Sequence, residues 1–396
     1  MKLKLSTHNP RICILTCVHA PFDPRIFHKE ARSLAEAGYE VTVVVPHAQD
    51  DQVDGVRVRA VPQPTSRIER MLITSWKVLR AGLSEGADVY HFHDPELLIA
   101  GLLLKILGHK VIYDVHEDLP KTFSNKHYIP RLCQGWMAWA SNLIEKAIAR
   151  RLDAVVPATE DIAKNFARCR RVAIVKNYPG SSGLSQAPEV EHRNGTFRCS
   201  YVGALSEARG VSKIVEALSE LEDVENIELV LCGIFSPSAY EKEVRGLPGF
   251  ARTQYRGWLD PISVPSFLST VDVGLVCIQP EDQYFTSLPT KLFEYMLAGL
   301  PVIASNFPLW REIVERKQCG LCVDPREPRE IAEAIRYLHA HPEVRAEMGK
   351  NGRKAALSEF SWESQSKVLI DLYGGILGNK AATRRGDQRV AATKSN

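Results

Sequence analysis

Side chains capable of acid–base or ligand chemistry follow three apolar, strand-like segments in the first half of this 396-residue chain. They are Asp23 and Arg25 after the first segment, His93, Asp94 and Glu96 after the fourth, and Asp114, His116, Glu117 and Asp118 after the fifth. The carboxyl ends of parallel strands line the crevice where open α/β sheets bind ligands. One polar residue there is usually a cap or a solvated side chain, but three successive loops of them indicate a binding site.

Two histidines stand out on one of these segments. His91 and His93 are two residues apart, so their side chains lie on the same side of a strand. Such a pair can ligate a metal ion, and it can equally contact an organic ligand at the strand end. The sequence favours ligand contact over metal, because the end of a parallel strand is where any ligand binds.

The second half of the chain carries groups suited to a diphosphate. Residues 201–210 read as a strand, a loop and a helix start, where Arg209 can neutralise phosphate charge beside the positive end of a helix. Residues 287–291 open another helix with Pro289 near its first turn, which favours exposed backbone amides. Glu294 lies one turn further on and can accept hydrogen bonds from a vicinal diol such as ribose.

One expected motif is absent, and two other motif-like stretches are interpreted as structural. Residues 17–24 contain no glycine, although a dinucleotide-binding turn needs glycines to admit the pyrophosphate. Residues 82–86 match the nucleophile-elbow pattern, but they end a predicted helix rather than follow a strand. Cys319 and Cys322 have zinc or redox spacing, yet no second cysteine pair completes a structural zinc site. The sequence therefore predicts no metal and no bound cofactor.

Short apolar runs alternate with amphipathic stretches along the chain, which is typical of parallel sheets covered by helices on both faces. Strands are predicted at 12–18, 41–45, 56–61, 89–91, 111–115, 154–156, 172–175, 197–202, 227–232, 273–276, 302–304 and 320–323. Helices are predicted at 27–37, 68–83, 97–107, 132–149, 212–221, 263–268, 291–297, 310–314 and 331–338. The polar, Gly/Ser/Pro-containing stretch 179–195 separates two such series and reads as a linker.

Composition narrows the class of protein. The chain is 45% hydrophobic and 24% charged, which is typical of a folded protein. Its formal net charge is only +3, so it lacks the large positive charge that favours nucleic-acid binding. No apolar run approaches the ~18 residues needed to span a bilayer. Nine scattered cysteines indicate a reducing compartment, and the cytoplasm is the predicted location.

Several stretches together resemble one known family. The run of residues 289–305, PTKLFEYMLAGLPVIAS, is similar to the donor motif of the family-4 (group 1) retaining glycosyltransferases. Residues 23–31 (DPRIFHKEA), 91–98 (HFHDPELL) and 360–363 (FSWE) resemble the same family. The matches extend from about residue 11 to 377.

The resemblance implies an α/β protein of the GT-B fold, with two facing, doubly wound, Rossmann-like domains. The expected N-terminal, acceptor-side domain is 1–178, the linker 179–195 and the nucleotide-sugar domain 196–360. A crossover helix at 361–378 and a disordered tail at 379–396 complete the expected organisation.

The resemblance also implies an activity: transfer of a hexose from a nucleotide-sugar with retained anomeric configuration and without a metal, in cell-surface polysaccharide or glycolipid synthesis. His116, Arg209 and Lys291 are the implied catalytic residues, with His116 touching the donor sugar. The implied donor-binding set is Gly203, Arg209, Gly257, Trp258, Ser287, Leu288, Thr290, Lys291 and Glu294. The acceptor side is expected to hold Asp23, Arg25, His93, Asp94 and Glu117.

Two positions depart from the family pattern. Thr286 stands where the family usually has the first of two glutamates, and Ala204 stands where an arginine usually follows the strand glycine. Lys291 can replace that missing cation. Because of Thr286, a nucleotide-sugar-binding protein that has lost catalysis stays an alternative, as does a nucleotide-sugar epimerase of similar architecture.

Two helical stripes bear on the acceptor, which is expected to be lipid-linked or a saccharide. Ile68, Leu72, Trp76 and Leu79 form one stripe near Arg67, Arg70, Lys77 and Arg80, and Leu132, Trp136, Trp139 and Leu143 form the other beside Arg131. Apolar stripes of this kind usually pack against a core. A basic, aromatic helix can also lie on anionic lipid, which would place the protein peripherally on the inner face of the plasma membrane.

Overall fold

The computed structural model describes residues 9–116, 131–180, 195–282 and 284–378. Glu117 and Asp118, most of the predicted linker and the predicted tail lie outside the described residues. The chain divides into two compact units, one made of residues 1–177 and 365–396 and the other of residues 178–364.

The first unit contains a seven-stranded sheet in the order β3-β4-β2-β1-β5-β6-β7, parallel except for the β3/β4 pair. Its central strand β1 is buried from Ile12 to Leu15, as expected for a parallel strand covered on both faces. The strands are β1 Arg11–Leu15, β2 Glu40–Pro46, β3 Asp51–Val53, β4 Val56–Val61, β5 Val89–Phe92, β6 Lys110–Val115 and β7 Ala154–Pro157.

Helices cover both faces of this sheet. The first begins as the π-helical segment Ile26–Ala31 and continues as α1, and a second π-helical segment, Arg70–Thr74, joins α2 to α3. A 3₁₀ turn at Pro95–Leu97 precedes α4. The helices are α1 Arg32–Glu36, α2 Arg67–Glu69, α3 Ser75–Glu85, α4 Leu98–Ile106, α5 Arg131–Ala149 and α6 Glu160–Asn165.

The second unit contains a fully parallel six-stranded sheet in the order β10-β9-β8-β11-β12-β13. Its strands are β8 Phe197–Val202, β9 Ile227–Cys232, β10 Thr253–Gly257, β11 Val273–Val276, β12 Val302–Ser305 and β13 Gly320–Val323. Its helices are α7 Val211–Ser219, α8 Tyr240–Arg245, α9 Val264–Leu268, α10 Thr290–Leu297, α11 Pro308–Lys317, α12 Pro328–Ala340 and α13 Pro342–Ser358. The last helix, α14 Trp362–Leu377, begins in this unit and continues into the first.

The structure confirms the doubly wound pattern in both units and corrects several predicted elements. The first strand ends at Leu15 rather than at residue 18, and the predicted strand 172–175 is reduced to a single bridge between Val172 and Val155. Sequence periodicity missed β3, β10 and α13, which carry few large apolar residues.

Each sheet has one point where the strand order reverses. In the first unit β2 lies on one side of β1 and β5 on the other, and in the second unit β9 and β11 flank β8 in the same way. Connections leaving such neighbours run to opposite faces, which opens a crevice at their carboxyl ends. These two switch points are where a ligand site is expected. Among the described residues, no helix combines the length and apolarity needed to cross a bilayer.

Candidate functional site

Asp94 organises the switch point of the first unit. Its side chain is buried just after β5, and one carboxylate oxygen accepts hydrogen bonds from the Thr16 hydroxyl at 2.9 Å and from the Cys17 backbone N–H. The other oxygen lies 3.4 Å from His19 Nε2. Asp94 therefore ties the loop after β1 to the end of β5, and its carboxylate is fully engaged in the structure.

Asp23 closes the same loop from the other side. Its carboxylate accepts the backbone N–H groups of Arg25 at 2.8 Å and Ile26 at 2.9 Å, and it lies 3.3 Å from His19 Nδ1. Burial alone would raise the pKa of Asp23, but the hydrogen bonds from His19 and the two amides outweigh it and lower the pKa to about 2. Asp23 is thus ionised and holds His19 between itself and Asp94.

Arg25 forms a buried ion-pair network beneath this loop. Its guanidinium reaches both oxygens of Asp114 at 3.0 and 3.1 Å, lies 2.9 Å from Glu30 Oε1, and donates to the Val175 carbonyl at 3.0 Å. The exposed fraction of Arg25 is 4%, and Glu30 and Asp114 are fully buried. A buried arginine held by two carboxylates is a rigid anchor.

Three histidines line up beside this network. His91 is buried on β5, His93 is buried directly after that strand, and His116 follows β6 with part of its ring exposed. His93 Nδ1 lies 3.1 Å from His116 Nε2, and His91 Nδ1 lies 2.8 Å from the hydroxyl of Tyr373 on α14. Burial lowers the pKa of all three, that of His91 to about 4, so they are neutral at pH 7.

The structure thus brings together four of the five predicted acceptor-side residues and His116, and Glu117 lies outside the described residues. Sequence reasoning missed His19, Glu30 and Tyr373. Glu30 gave a signal, since it is a carboxylate on the apolar, buried side of the first helix. The resemblance predicted the crossover helix that carries Tyr373, but nothing in the sequence relates this residue to β5.

Glycines shape the switch point of the second unit. Gly203 follows β8 with φ +138°, and Gly233 follows β9 with φ +147°, conformations that favour glycine. A Cβ on Gly233 would come within 1.8 Å of the Gly203 carbonyl oxygen, so the two strand ends approach each other backbone to backbone. This leaves the space at the carboxyl end of β8 without side chains of its own.

Lys291 fills part of that space. Its ammonium donates to the Tyr201 hydroxyl at 2.9 Å, lies over the Tyr201 ring at 4.4 Å, and would be 2.7 Å from a Cβ on Gly203. Burial, with help from the positive charge of Arg209, lowers the pKa of Lys291 from 10.5 to about 8, although Glu294 opposes the shift. A cation held this close to deprotonation is poised to gain from an anionic ligand.

Arg209 lies beside the same pocket. It ends the 3₁₀ turn Glu207–Arg209 between β8 and α7, and its guanidinium stacks 5.1 Å from the centre of the Tyr284 ring. The next residue, Gly210, has φ +72°, and a Cβ there would lie 2.0 Å from the Cys277 carbonyl oxygen. Only glycine lets this turn pass against the end of β11 and so place Arg209 near Lys291.

A hydrogen bond from a buried tryptophan holds the loop before α10 in place. Trp310 is fully buried, and its indole N–H donates to the Ser287 carbonyl at 2.7 Å. Pro289 is the N-cap residue of α10 and has no side chain that could accept the first amides of the helix. The amides at Thr290 and Lys291 therefore begin α10 without a side-chain cap, which leaves the positive end of the helix available to an anion.

The remaining predicted donor residues occupy the same edge of the second sheet or follow it. Glu294 is half-buried on α10 and interacts electrostatically with Lys291. Gly257 ends β10 with φ +70°, and its carbonyl accepts the Gly233 amide at 2.6 Å. Trp258 follows with 63% of its surface exposed. The sequence did not single out Tyr201 or Tyr284, the two rings that hold the cations.

The stretches interpreted as structural have ordinary surroundings. Ser84 lies within α3, and its hydroxyl donates to the Ala81 carbonyl at 2.7 Å, as a serine near a helix end often does. Cys319 and Cys322 are free, and burial raises the pKa of each to about 12. Neither stretch forms a nucleophilic or redox site in the described structure.

Two family models match the chain. Residues 25–177 match the "glycosyl transferase 4-like domain", and residues 186–355 match "glycosyl transferases group 1". The two matches are consecutive and fall on the first and second units respectively.

Several known proteins are similar to the chain over most of its length. A curated relative, the MMP α-(1→4)-mannosyltransferase of Mycolicibacterium hassiacum, is 23% identical over 89% of this chain and 94% of its own length. Sucrose-phosphate synthase from Thermosynechococcus elongatus has a similar structure, with a TM-score of 0.72, 18% identity, and coverage of 94% of this chain and all of that one. Anabaena HepE in complex with UDP-glucose gives a TM-score of 0.69 at 15% identity, covering 92% of this chain and 99% of that one.

Proposed function

Because the chain belongs to the group 1, family-4 glycosyltransferases of the GT-B fold, we propose that it transfers a hexose with retention of anomeric configuration and without a metal at the donor diphosphate. Membership in this family establishes a sugar-transferring enzyme that uses a nucleotide-sugar donor. The relatives do not favour a catalytically impaired binding protein or an epimerase. The proposal assigns the stereochemistry and the roles of individual residues.

The observation that carries the proposal is the pair of cations at the second switch point. Arg209 ends the turn after β8 and Lys291 lies in the first turn of α10, yet the positive charge of Arg209 helps burial to lower the pKa of Lys291. The uncapped start of α10 adds backbone amides beside them. Two cations and a helix N-terminus at a side-chain-free strand end form a receptor for a diphosphate.

The chemistry follows from where charge develops. The diphosphate of a nucleotide-sugar is already ionised, and it gains further negative charge when the anomeric bond breaks. Fixed cations and amides therefore stabilise the leaving diphosphate more than the ground state. Arg209 and Lys291 take this role, assisted by the amides at Leu288, Thr290 and Lys291. The departing phosphate then accepts the acceptor's proton on the same face of the sugar, which gives retention.

The rest of the donor is assigned to neighbouring groups. Glu294 accepts hydrogen bonds from the ribose hydroxyls, and Gly257 and Trp258 bound the base, with Ser287 contributing to the loop around the phosphates. His116 contacts the donor sugar as a neutral imidazole. Asp23, Arg25, His93, Asp94 and Glu117 belong to the acceptor side, where Arg25 and Asp94 act by holding the loops in place.

The departures from the family pattern fit this assignment. Ala204 removes one cation after the strand glycine, but the Lys291 ammonium lies where a side chain on Gly203 would begin. Lys291 therefore supplies positive charge at the same strand end. Thr286 has no such substitute, and we propose that it alters which sugar hydroxyls the site recognises rather than abolishing transfer.

The first test replaces the cations. Arg209→Ala should reduce kcat by on the order of 100-fold or more, the usual cost of removing one donor that stabilises developing charge. Arg329→Ala is the matched control, since Arg329 is exposed on α12 and pairs only with Glu333 in the described structure. Release of nucleotide from labelled nucleotide-sugars measures transfer. Equal activity of Arg209→Ala and Arg329→Ala would refute the assignment.

Donor identity needs a direct screen. HepE was solved with UDP-glucose, and the mycobacterial relative is named as a mannosyltransferase, so UDP-glucose and the mannose nucleotides are the first donors to compare. A thermal-shift panel with chelator present tests donor choice and metal independence together. A shift that appears only when a divalent metal is added would contradict the metal-independent proposal.

Exposed apolar side chains on three neighbouring helices support a membrane-associated acceptor. The sequence favoured core packing for the two stripes, but the structure buries only Leu79 of the first and exposes Trp136, Trp139 and Leu143 of the second. The helices α3, α4 and α5 pack in sequence against one another. Their exposed apolar residues, with the turns before α3, are Ile68, Met71, Leu72, Ile73, Trp76, Ile99, Leu103, Ile106, Leu107, Trp136, Trp139, Leu143 and Ile144.

We therefore propose that this helical face lies on an anionic membrane and meets a lipid-linked acceptor. Arg67, Lys77 and Arg80 flank it, and basic residues beside an apolar face attract anionic lipid. The free cysteines of the described residues suit a reducing compartment, so the cytoplasmic side of the plasma membrane is the proposed location.

Liposome flotation tests the membrane proposal. Vesicles containing anionic lipid should carry the wild type, and the Trp76→Glu/Trp139→Glu variant should float less. Ile262→Glu is the matched control, because Ile262 is 86% exposed but lies in the second unit. Raising the salt concentration should weaken the electrostatic part of binding. Flotation that is absent at low salt, or equal for the double variant and the control, would overturn the proposal.

A further inference from the structure

Four buried side chains in the first unit direct atoms that can ligate a metal toward one another. Glu30, His91, His93 and Asp114 each offer a nitrogen or oxygen, and these four atoms lie within 4.8 Å of one another. The four residues are fully buried. His93 Nε2 lies 3.6 Å from Glu30 Oε2, and His91 Nε2 lies 3.7 Å from Asp114 Oδ2, both too far for hydrogen bonds.

The atoms facing this space lack partners. Within the described part of the chain, Glu30 Oε2, His91 Nε2 and His93 Nε2 are buried without any hydrogen bond. Buried polar atoms are nearly always paired, so three of them around one point need an explanation. Either tautomer of His91 or His93 leaves its Nε2 unsatisfied, because a protonated Nε2 lacks an acceptor and a bare one lacks a donor.

The outer nitrogens of both histidines are already engaged. The Tyr373 hydroxyl lies 2.8 Å from His91 Nδ1, and His116 Nε2 lies 3.1 Å from His93 Nδ1. This is the arrangement of metal-binding histidines, in which one ring nitrogen is fixed by a hydrogen bond and the other faces the metal. Both rings are therefore held with Nε2 toward the shared space.

Charge favours a cation there. The carboxylates of Asp23, Glu30, Asp94 and Asp114 surround the space and the adjoining loop, and the cations among them are Arg25 and, when protonated, His19. Four carboxylates against two cations leave two negative charges, which a divalent ion would balance. Protons on the carboxyl groups could also balance them, and burial with the neighbouring Asp114 does raise the pKa of Glu30. A proton on Glu30 Oε2, however, faces only His93 Nε2, at 3.6 Å, and leaves His91 Nε2 without a partner.

We infer that Glu30, His91, His93 and Asp114 form a binding site for a divalent first-row metal ion, with Zn²⁺ as the best fit. Two imidazoles and two carboxylates suit Zn²⁺. Tetrahedral zinc with bonds of about 2.0–2.2 Å separates its ligand atoms by roughly 3.3–3.6 Å. The His93–Glu30 and His91–Asp114 pairs, at 3.6 and 3.7 Å, are already close to this spacing, and the widest gap, up to 4.8 Å, has to close by about 1 Å when the ion binds. Arg25 pairs with Glu30 Oε1, which leaves Oε2 for the metal. It also donates to both oxygens of Asp114, and a carboxylate has enough lone pairs to accept these hydrogen bonds and bind an ion.

Such an ion has a structural role and does not contact the donor diphosphate. It lies in the first unit, beneath His93 and through it His116, whereas the diphosphate is assigned to cations of the second unit. The inference therefore does not rest on the proposed function. Transfer without added metal and a retained buried ion are compatible outcomes.

The experiment measures zinc in the full-length protein. The chain is produced with zinc supplied and dialysed against a chelator, which strips ions from exposed sites, and zinc per chain is counted by plasma mass spectrometry. About one equivalent is expected for the wild type and for the control His339→Gln/His341→Gln, whose histidines lie in the second unit. His91→Gln/His93→Gln should lose it.

A milder variant covers the case in which the double substitution does not fold. Tyr373→Phe removes only the hydroxyl bonded to His91 Nδ1, and loss of such a partner should weaken zinc affinity about 10–100-fold in competition with a chromophoric chelator. X-ray absorption should show two nitrogen and two oxygen ligands and no sulfur. A metal-free wild type, sulfur ligation, or unchanged affinity in Tyr373→Phe would each overturn the site.

Discussion

The lowered pKa of Lys291 makes donor binding depend on pH in a direction that can be worked out. In the free protein, burial and Arg209 bring this pKa to about 8, so the ammonium begins to lose its proton in mildly alkaline solution. A bound diphosphate favours the charged form and raises the pKa again. Donor binding above pH 8 therefore requires uptake of a proton, and affinity should fall as the pH rises.

The size of the effect follows from linkage. If the bound ammonium stays protonated, Kd increases in proportion to 1 + 10^(pH − 8). This factor is about 1.1 at pH 7 and about 11 at pH 9, so binding should weaken roughly tenfold between them. Proton uptake per donor bound should rise from about 0.1 at pH 7 to about 0.9 at pH 9. Below pH 7 this lysine contributes no further change.

Isothermal titration calorimetry measures both quantities. Donor is titrated at pH 7, 8 and 9 in pairs of buffers with different ionisation enthalpies, which gives Kd and the proton count. Lys291→Met is the matched control, since it keeps the length of the side chain and removes the titrating group. Its binding should be weaker at pH 7 and nearly independent of pH, and titration of the nucleotide base cancels between the two proteins.

Two results would refute this reasoning. A wild-type Kd that is constant from pH 7 to 9 would mean that Lys291 does not meet the diphosphate or is not shifted. An equal pH dependence in Lys291→Met would assign the proton to another group. Either outcome would remove the lysine from the donor site while leaving the family assignment intact.

Two further predictions concern the elements that position this site. Gly210→Ala should lower the free energy of unfolding by at least about 2 kcal/mol, because it adds backbone strain to a collision with the Cys277 carbonyl, and chemical denaturation measures the loss. Gly257→Ala is the control with φ strain but no nearby atom, and an equal loss in both would refute the collision argument. Trp310→Phe should raise KM for the donor several-fold and cost about 1–3 kcal/mol of stability, since it unpairs the Ser287 carbonyl; steady-state kinetics with an unchanged KM would contradict this.

Much of the fold could be predicted because buried parallel strands have continuous apolar runs in the sequence. All nine strands that have a neighbour on both sides in the two described sheets were predicted, namely β1, β2, β4, β5, β6, β8, β9, β11 and β12. The missed β10 is an edge strand whose residues are half-buried or exposed, so its sequence carries polar and charged side chains. Apolarity reports burial on both faces: the edge strand β7 is fully buried and was predicted, whereas the edge strand β10 is not buried and was missed.

The missed helix α13 shows a different limit. Its buried residues are Gly349, Gly352, Ala355 and Ala356. A Cβ on Gly349 would lie 2.1 Å from the Gly299 carbonyl oxygen, so this helix packs by close backbone approach rather than by large side chains. Hydrophobic periodicity cannot detect a face made of small residues.

The location of the candidate site could be predicted better than the hydrogen bonds and ion pairs within it. The resemblance to a known family put Arg209 and Lys291 in one predicted donor site, and in the structure the two side chains are close enough to interact electrostatically. The sequence did not show which polar side chains form hydrogen bonds and ion pairs with one another inside the protein. Arg25 and Glu30 look alike as charged residues of one segment, yet their pairing depends on Asp114, almost 90 residues away in the chain.

The Lys291 arrangement also explains how the chain can lack the arginine expected after Gly203. A diphosphate responds to the position of positive charge and not to the segment that supplies it. Because Gly203 and Gly233 have no side chains, the end of β8 has room for the Lys291 side chain. Lys291 lies on α10, between β11 and β12, and its ammonium contacts the ring and the hydroxyl of Tyr201. An arginine introduced at Ala204 would add a third cation to this pocket. Its charge would lower the pKa of Lys291 further, so we expect Ala204→Arg to tighten donor binding and to move its alkaline decline to lower pH; an unchanged decline in the same calorimetric titration would show that the two positions do not share one electrostatic site.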